Sequence, residues 1–177
     1  TNDAPAFTST PITAATEDSA YSYTVTAGDV DVGDDLTFSV VQMPDWLIFD
    51  GDSTISGTPE NDDVGEHTVE LSVIDQSGLS DTQSFTITVA NTNDAPAFTS
   101  TPITAATEDA AYSYTAEASD IDEGDILTFA ATTLPGWLIL TDNGDGTALL
   151  SGTPTNDDVG DNSVVLTVSD GFVTVNQ

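Results

Sequence analysis

Two Asp-x-Asp segments, Asp29-Val30-Asp31 and Asp120-Ile121-Asp122, are the residues whose type and spacing could do chemistry in this chain. Each lies among short apolar runs, where alternating Asp is poor strand material unless it serves a ligand. The chain has no Cys, one His, and no Lys or Arg against 31 Asp plus Glu, for a formal charge of −31. A thiolate metal site is thereby excluded, a zinc centre is not expected, and hard oxygen donors are what remains. Calcium, which takes about six to eight oxygens, is the cation such a donor set suits. No carboxylate can find a salt-bridge partner on its own chain, so salt or a bound divalent ion must offset their repulsion.

The same charge excludes nucleic acid and anionic membrane surfaces as partners, because both require cations on the protein. No run is apolar enough for direct membrane insertion or for a signal peptide, and there is no initiator Met, so the chain reads as an internal segment of something larger. The single His67 is replaced by Asn162 at the matching position of the second half, and is expected to be exposed and inert. Paired carboxylates could hydrolyse glycosides only in a cleft holding a perturbed acid, so no enzyme is expected.

The elements that must position these carboxylates come in two copies. Residues 2–18 return without change as residues 93–109, an offset of 91. That is the size of a small β-domain and too long for a solenoid repeat. Tyr21, Tyr23, Val25 and Ala27 alternate with polar residues, as do Tyr112, Tyr114, Ala116 and Ala118, which places each apolar set on one face of a strand. Leu36–Val40, Trp46–Ile48, the set Val69, Leu71, Val73 and the set Phe85, Ile87, Val89 continue the pattern. With 38% hydrophobic residues in short alternating runs divided by Gly, Pro, Asn and Asp, the chain is ordered and all-β. The expected architecture is two tandem Ig-like β-sandwiches of about seven strands each, residues 1–91 and 92–177.

The copies differ in two places. The second carries a longer loop, Asp142-Asn143-Gly144-Asp145-Gly146, against Asp50-Gly51-Asp52; its Asn-Gly and Asp-Gly pairs predict a hairpin turn in preference to a calcium loop. The counterpart of Phe85 lies beyond Gln177, so the second copy is expected to lack most of its last strand, through truncation of a longer array or for completion by another chain. Asp62-Asp63-Val64-Gly65 and Asp157-Asp158-Val159-Gly160 are predicted to turn into the following strand.

Glu17-Asp18, Asp29 to Asp34, Val73-Ile74-Asp75 and Asn91-Thr92-Asn93-Asp94-Ala95-Pro96, in that order, resemble the cadherin-like repeats of bacterial surface adhesins. The Trp-Leu-Ile and Ser-Gly-Thr-Pro segments are similar to the dystroglycan-type variety. The resemblance implies calcium at the junction of successive modules. Glu17 from the first module, Asn91, Asn93 and Asp94 from the linker, and Asp120, Asp122 and Asp170 from the second module are the implied ligands. Asn2, Asp3, Asp29, Asp31 and Asp75 form the implied half-site of the first module. Two features depart from the cadherin pattern: there is no Asp-Arg-Glu motif, and Ala95 stands where the linker usually carries a second Asn. The implied role is a non-catalytic extender of a secreted or cell-surface adhesin, rigidified by calcium, its partners being neighbouring repeats of the same parent chain.

Two other readings compete. A carbohydrate-binding module needs exposed aromatic platforms. Phe7, Tyr21, Tyr23, Phe38 and Trp46 each have an aromatic counterpart at an alternating position, which predicts core residues. A filament or surface-layer subunit would complete its last strand by pairing with another chain.

Overall fold

The computed structural model describes residues 2–31 and 33–177; Thr1 and Val32, the latter within the Asp29–Asp34 segment, lie outside the described residues. The chain divides into two compact units, Thr1–Thr92 and Asn93–Gln177. Both are all-β. In the first, Tyr21, Tyr23 and Val25 turn inward while Ser22 and Thr24 face out, as a period of two requires.

The first unit contains β1 (Ala6–Phe7), β2 (Ala14–Thr16), β3 (Tyr21–Thr24), β4 (Ala27–Gly28), β5 (Thr37–Gln42), β6 (Leu47–Phe49), β7 (Thr54–Gly57), β8 (Gly65–Ile74) and β9 (Ser80–Ala90). One sheet has the order β2-β9-β8-β5, another β3-β7-β6, and β1 pairs with β4. Tyr21, Tyr23, Leu47 and Ile55 from one side meet Val69, Leu71 and Ile87 from the other, which is the core of a sandwich. The hairpin of β8 and β9 runs in unbroken register from Gly65 opposite Val89 to Ile74 opposite Ser80, and β2 lies parallel to β9.

The second unit contains β10 (Ala97–Phe98), β11 (Tyr112–Ser119), β12 (Thr128–Thr133), β13 (Leu138–Asp142), β14 (Thr147–Gly152), β15 (Val165–Ser169) and β16 (Thr174–Asn176). Its sheets have the orders β10-β11-β14-β13 and β12-β15-β16. The first unit thus has more strand segments than the seven expected, while the second has that number. The continuous β11 corresponds to β3 plus β4, broken at Val25 and Thr26. The longer hairpin loop lets β14 pair with β11 as far as Glu117 opposite Thr147, whereas β7 leaves β3 at Thr24 opposite Thr54.

The loops behave as turn chemistry predicts. Residues Asn61–Asp63 and Asn156–Asp158 form single 3₁₀ turns, each closed by a backbone N–H, of Glu60 or Thr155, donating to the Asp63 or Asp158 carboxylate at 2.9 Å. At the tip of the longer hairpin Asp142 accepts from the Gly144 N–H, and Asp145 from the Thr147 N–H. His67, expected to be exposed, is half-buried: its ring packs edge-on against Trp46, and its Nε2 lies 2.6 Å from the Asp63 carbonyl. Asn162 donates to the Asp158 carbonyl in the same place, which is why an amide can stand for the imidazole.

The Ser-Gly-Thr-Pro segment is a packing requirement. A Cβ on Gly57 would stand 2.0 Å from the Trp46 carbonyl oxygen, and one on Gly152 2.0 Å from that of Trp137. Each Trp ring in turn packs edge-on at 5.7 Å against Tyr21 or Tyr112. Gly57→Ala should therefore lower stability by about 1–3 kcal/mol or more in urea denaturation. Gly136→Ala, where a Cβ meets nothing within 4 Å, should stay within about 0.5 kcal/mol.

Burial, reinforced by neighbouring Tyr23, pushes the Tyr21 hydroxyl up to about 12, and this hydroxyl donates to the Ile12 carbonyl at 2.7 Å. A group raised in this way contributes fully below its unfolded value of about 10, and the contribution is lost as pH rises towards 12. Stability measured across that interval should fall, and the fall should be smaller in Tyr21→Phe.

Candidate metal centre

In each unit three loops converge. In the first they are the segment before β1, the loop between β4 and β5, and the turn after β8. Asn2 Nδ2 donates to Asp75 Oδ2 at 2.8 Å, the Asp3 N–H donates to Asp31 Oδ2 at 2.7 Å, and the Asp31 N–H donates to Asp29 Oδ1 at 2.9 Å. The second unit repeats the arrangement. Asn93 Nδ2 donates to Asp170 Oδ2 at 2.9 Å, the Asp94 N–H to Asp122 Oδ2 at 2.7 Å, and the Asp122 N–H to Asp120 Oδ1 at 3.1 Å. Asn2, Asp3, Asp29, Asp31 and Asp75 are thus gathered in the first unit, and Asn93, Asp94, Asp120, Asp122 and Asp170 in the second.

Asp75 and Asp170 are buried, at 5% and 8% exposure, in a chain without a Lys or Arg. Asp75 Oδ1 accepts from the N–H groups of Ser77 and Leu79, and Asp170 Oδ1 from those of Phe172 and Val173. Burial pushes the Asp75 carboxyl up, but the bonds from Asn2, Leu79, Ser77 and Gly78 outweigh it and hold the group below its ordinary value. The bond from Asn93, with the N–H groups of Val173 and Phe172, does the same for Asp170 against its burial.

Beside each lies a pair of carboxylates whose donors have run out. One oxygen each from Asp29, Asp34 and Asp75 lie within 4.8 Å of one another, and so do oxygens of Asp120, Asp125 and Asp170. Among the described residues, the Oδ2 atoms of Asp29, Asp34, Asp120 and Asp125 are buried without a hydrogen-bond partner. Burial, then the charges of Asp29, Asp75, Asp31 and Asp35, raise the Asp34 carboxyl above its ordinary value. Burial, then Asp120, Asp122 and Asp170, raise Asp125. Buried oxygens converging without donors are what a hard cation binds, and these sets fit calcium by donor chemistry.

Asp34 and Asp125 are absent from the set implied by the sequence. Their signal was available: each lies five residues after the first Asp of its Asp-x-Asp segment and follows a Gly, in both copies. A Gly-Asp pair reads locally as a turn. Of the remaining implied ligands, Glu17 belongs to the first unit. It is 2% exposed, and its Oε2 accepts from the Thr92 N–H at 2.9 Å. Its sequence counterpart Glu108 is exposed. Asn91 follows β9 on the surface of the same unit.

The family described as "Putative Ig domain" matches residues 4–90 and again 95–177. The chain belongs to that family, in two tandem copies. Among solved structures, the Protocadherin Gamma B2 extracellular cadherin domains 1–5 superpose with a TM-score of 0.69 at 18% identity, covering 98% of this chain and 38% of theirs. The Protocadherin gammaB7 EC3-6 cis-dimer gives 0.67 at 14% identity, covering 99% and 46%. These neighbours place the fold among cadherin-like β-sandwiches. The endo-fucoidan hydrolase MfFcnA4 of glycoside hydrolase family 107 is 32% identical over 98% of this chain and 27% of its own, with a TM-score of 0.44. The chain spans less than half the length of each. No curated protein sequence matches it.

If Asp34 and Asp125 are repelled until a cation arrives, removing their charge should help the metal-free protein and cost the metal-bound one. Asp34→Asn and Asp125→Asn should raise Tm in chelator by a few degrees, on the order of 4 °C, and should reduce the further rise on adding calcium. Unfolding scans of each variant in chelator and in calcium check both signs.

Proposed function

We propose that the chain is a non-catalytic spacer segment of a larger extracellular adhesin-type protein, and that calcium holds its loops in working order. The observation that supports this reading is the matched pair of carboxylate clusters, each with two buried oxygens that have no hydrogen-bond partner among the described residues. Asp29, Asp34 and Asp75 would hold an ion in the first unit; Asp120, Asp125 and Asp170 would do so in the second. Asn93 and Asp94 lie in the linker 91–96 and already bond to Asp170 and Asp122. An ion fixed there would therefore hold Asn93 and Asp94 of the linker in place. Among the described residues no helix is long and apolar enough to cross a membrane. Every aromatic ring but that of Phe172 contributes to a core or its rim, and Phe172 stands exposed. Nothing in that arrangement favours a sugar-binding platform.

The test is thermal unfolding in millimolar calcium, in magnesium and in chelator, with amide hydrogen exchange read at residues 91–96. At 1 mM, calcium should raise Tm by roughly 2 to 10 °C, as a Kd of about 10⁻³ to 10⁻⁴ M implies for a domain of this size, and should slow exchange in the linker. Equal curves in calcium and chelator would reject the reading.

A further inference from the structure

β5 and β12 are matching edge strands of the two units, and they differ in how that edge is covered. In β12 the Phe129 N–H points away from β15, since it donates to Asp142 Oδ2 at 2.9 Å. Asp142 reaches it because β13 runs on through Leu138–Asp142. The counterpart β6 ends at Phe49, and the Asp50 carboxylate that follows turns back to accept from the N–H groups of Asp52, Ser53 and Thr54. Phe38 lies opposite Val73 as Phe129 lies opposite Val168, so its N–H and C=O face outward, as do those of Val40 two residues on. Among the described residues no group outside the β5–β8 ladder bonds to Phe38 or Val40. Exposure agrees: Phe129 is buried, whereas Phe38 is half-buried.

Sheet edges are commonly blunted by Lys, Pro or a bulge. β5 reads Thr-Phe-Ser-Val-Val-Gln, without a charge or a Pro, and its bulge falls between Val40 and Gln42, leaving Thr37 to Val40 regular. The acids stand at its two ends. Asp35 precedes the strand and Asp45 follows it, both exposed, and Glu70 lies opposite Gln42.

We infer that the β5 edge takes up an extended segment of another protein, a neutral run of about five residues with Lys or Arg at both ends, which adds a strand through the main-chain groups of Phe38 and Val40. Charge selects this occupant. The chain has no Lys or Arg, so no segment of its own supplies the cations. A second copy pairing antiparallel about Ser39 would bring Asp35 of each chain towards Asp45 of the other, and like charges at both ends oppose it.

The probe is the peptide Lys-Lys-Thr-Val-Thr-Val-Thr-Lys-Lys, with two controls: Glu for every Lys, and Pro for each Val. Amide exchange is read by NMR at fixed calcium. Exchange at Phe38 and Val40 should slow about tenfold when the peptide stands at ten times its Kd. The effect should weaken between about 0.05 and 0.5 M salt, and neither control should produce it. Phe129 should be unaffected in the unchanged chain and become protected by the peptide in Asp142→Ala. No protection at Phe38 and Val40, or equal protection by either control, would overturn the proposal. Protection that grows with protein concentration without peptide would overturn it in favour of a second copy, and equal protection of Phe129 in the unchanged chain would overturn the part assigned to Asp142.

Discussion

No carboxylate in this protein can be neutralised by a side chain of its own, and much of the loop structure follows from that. The loops answer with backbone N–H groups. Asp50 accepts from Asp52, Ser53 and Thr54, and Asp63, Asp142, Asp158 and Asp170 are each bonded to N–H groups of their own turns. Such bonds are local and give the carboxylate oxygens donors within their own turns, so turns rich in Asp form despite the net charge. The clusters around Asp34 and Asp125 are where this supply ends. A second class of partner, a hard cation, is the chemically consistent way to complete them.

The duplication separates what the fold requires from what one copy happens to have. Both units place a Tyr hydroxyl between a Ser from the entering segment and a Gln from the last strand, at 2.7 to 2.9 Å. Both place a Gly against a Trp carbonyl, and both hang a polar ring or amide on the 3₁₀ turn. These repeated contacts tie strands distant in sequence across the sandwich. The hairpin loop, by contrast, differs in length, and with it β11, β13 and β14 are longer than their counterparts. Loop length is a weak energetic variable where register is held by burial on both sides.

Most of the fold was legible from period-two alternation, because inward positions such as Tyr23, Ile87 and Val168 are apolar in both copies. The candidate site was only partly legible. Asp29, Asp75, Asp120 and Asp170 stand out as acids at strand ends. Asp34 and Asp125 do not, because Gly-Asp is ordinary turn material and only the folded loop brings them back onto their partners. Glu17 and Glu108 occupy identical local sequences yet differ wholly in exposure. The cause is non-local: Glu17 is covered where β9 and Thr92 run past it, and a local pattern has no access to that. His67 misled for a related reason, since its burial depends on Trp46.

The parallel pairing of β2 with β9 has a mechanical consequence. Ala14, Ala15 and Thr16 lie beside Thr88, Val89 and Ala90, and the Thr88 N–H to Thr13 O and Glu17 N–H to Ala90 O bonds extend the ladder at 2.9 Å on either side. β2 is entered from the N-terminal side of the unit and β9 is left on the C-terminal side. Tension applied across the unit through those two connections therefore pulls neighbouring strands in opposite directions along their own axes. The bonds are loaded in shear and must yield together, unlike those of a hairpin opened from its end, which break in succession. Force spectroscopy on the first unit, with β2 weakened by Ala15→Pro, reads this resistance directly.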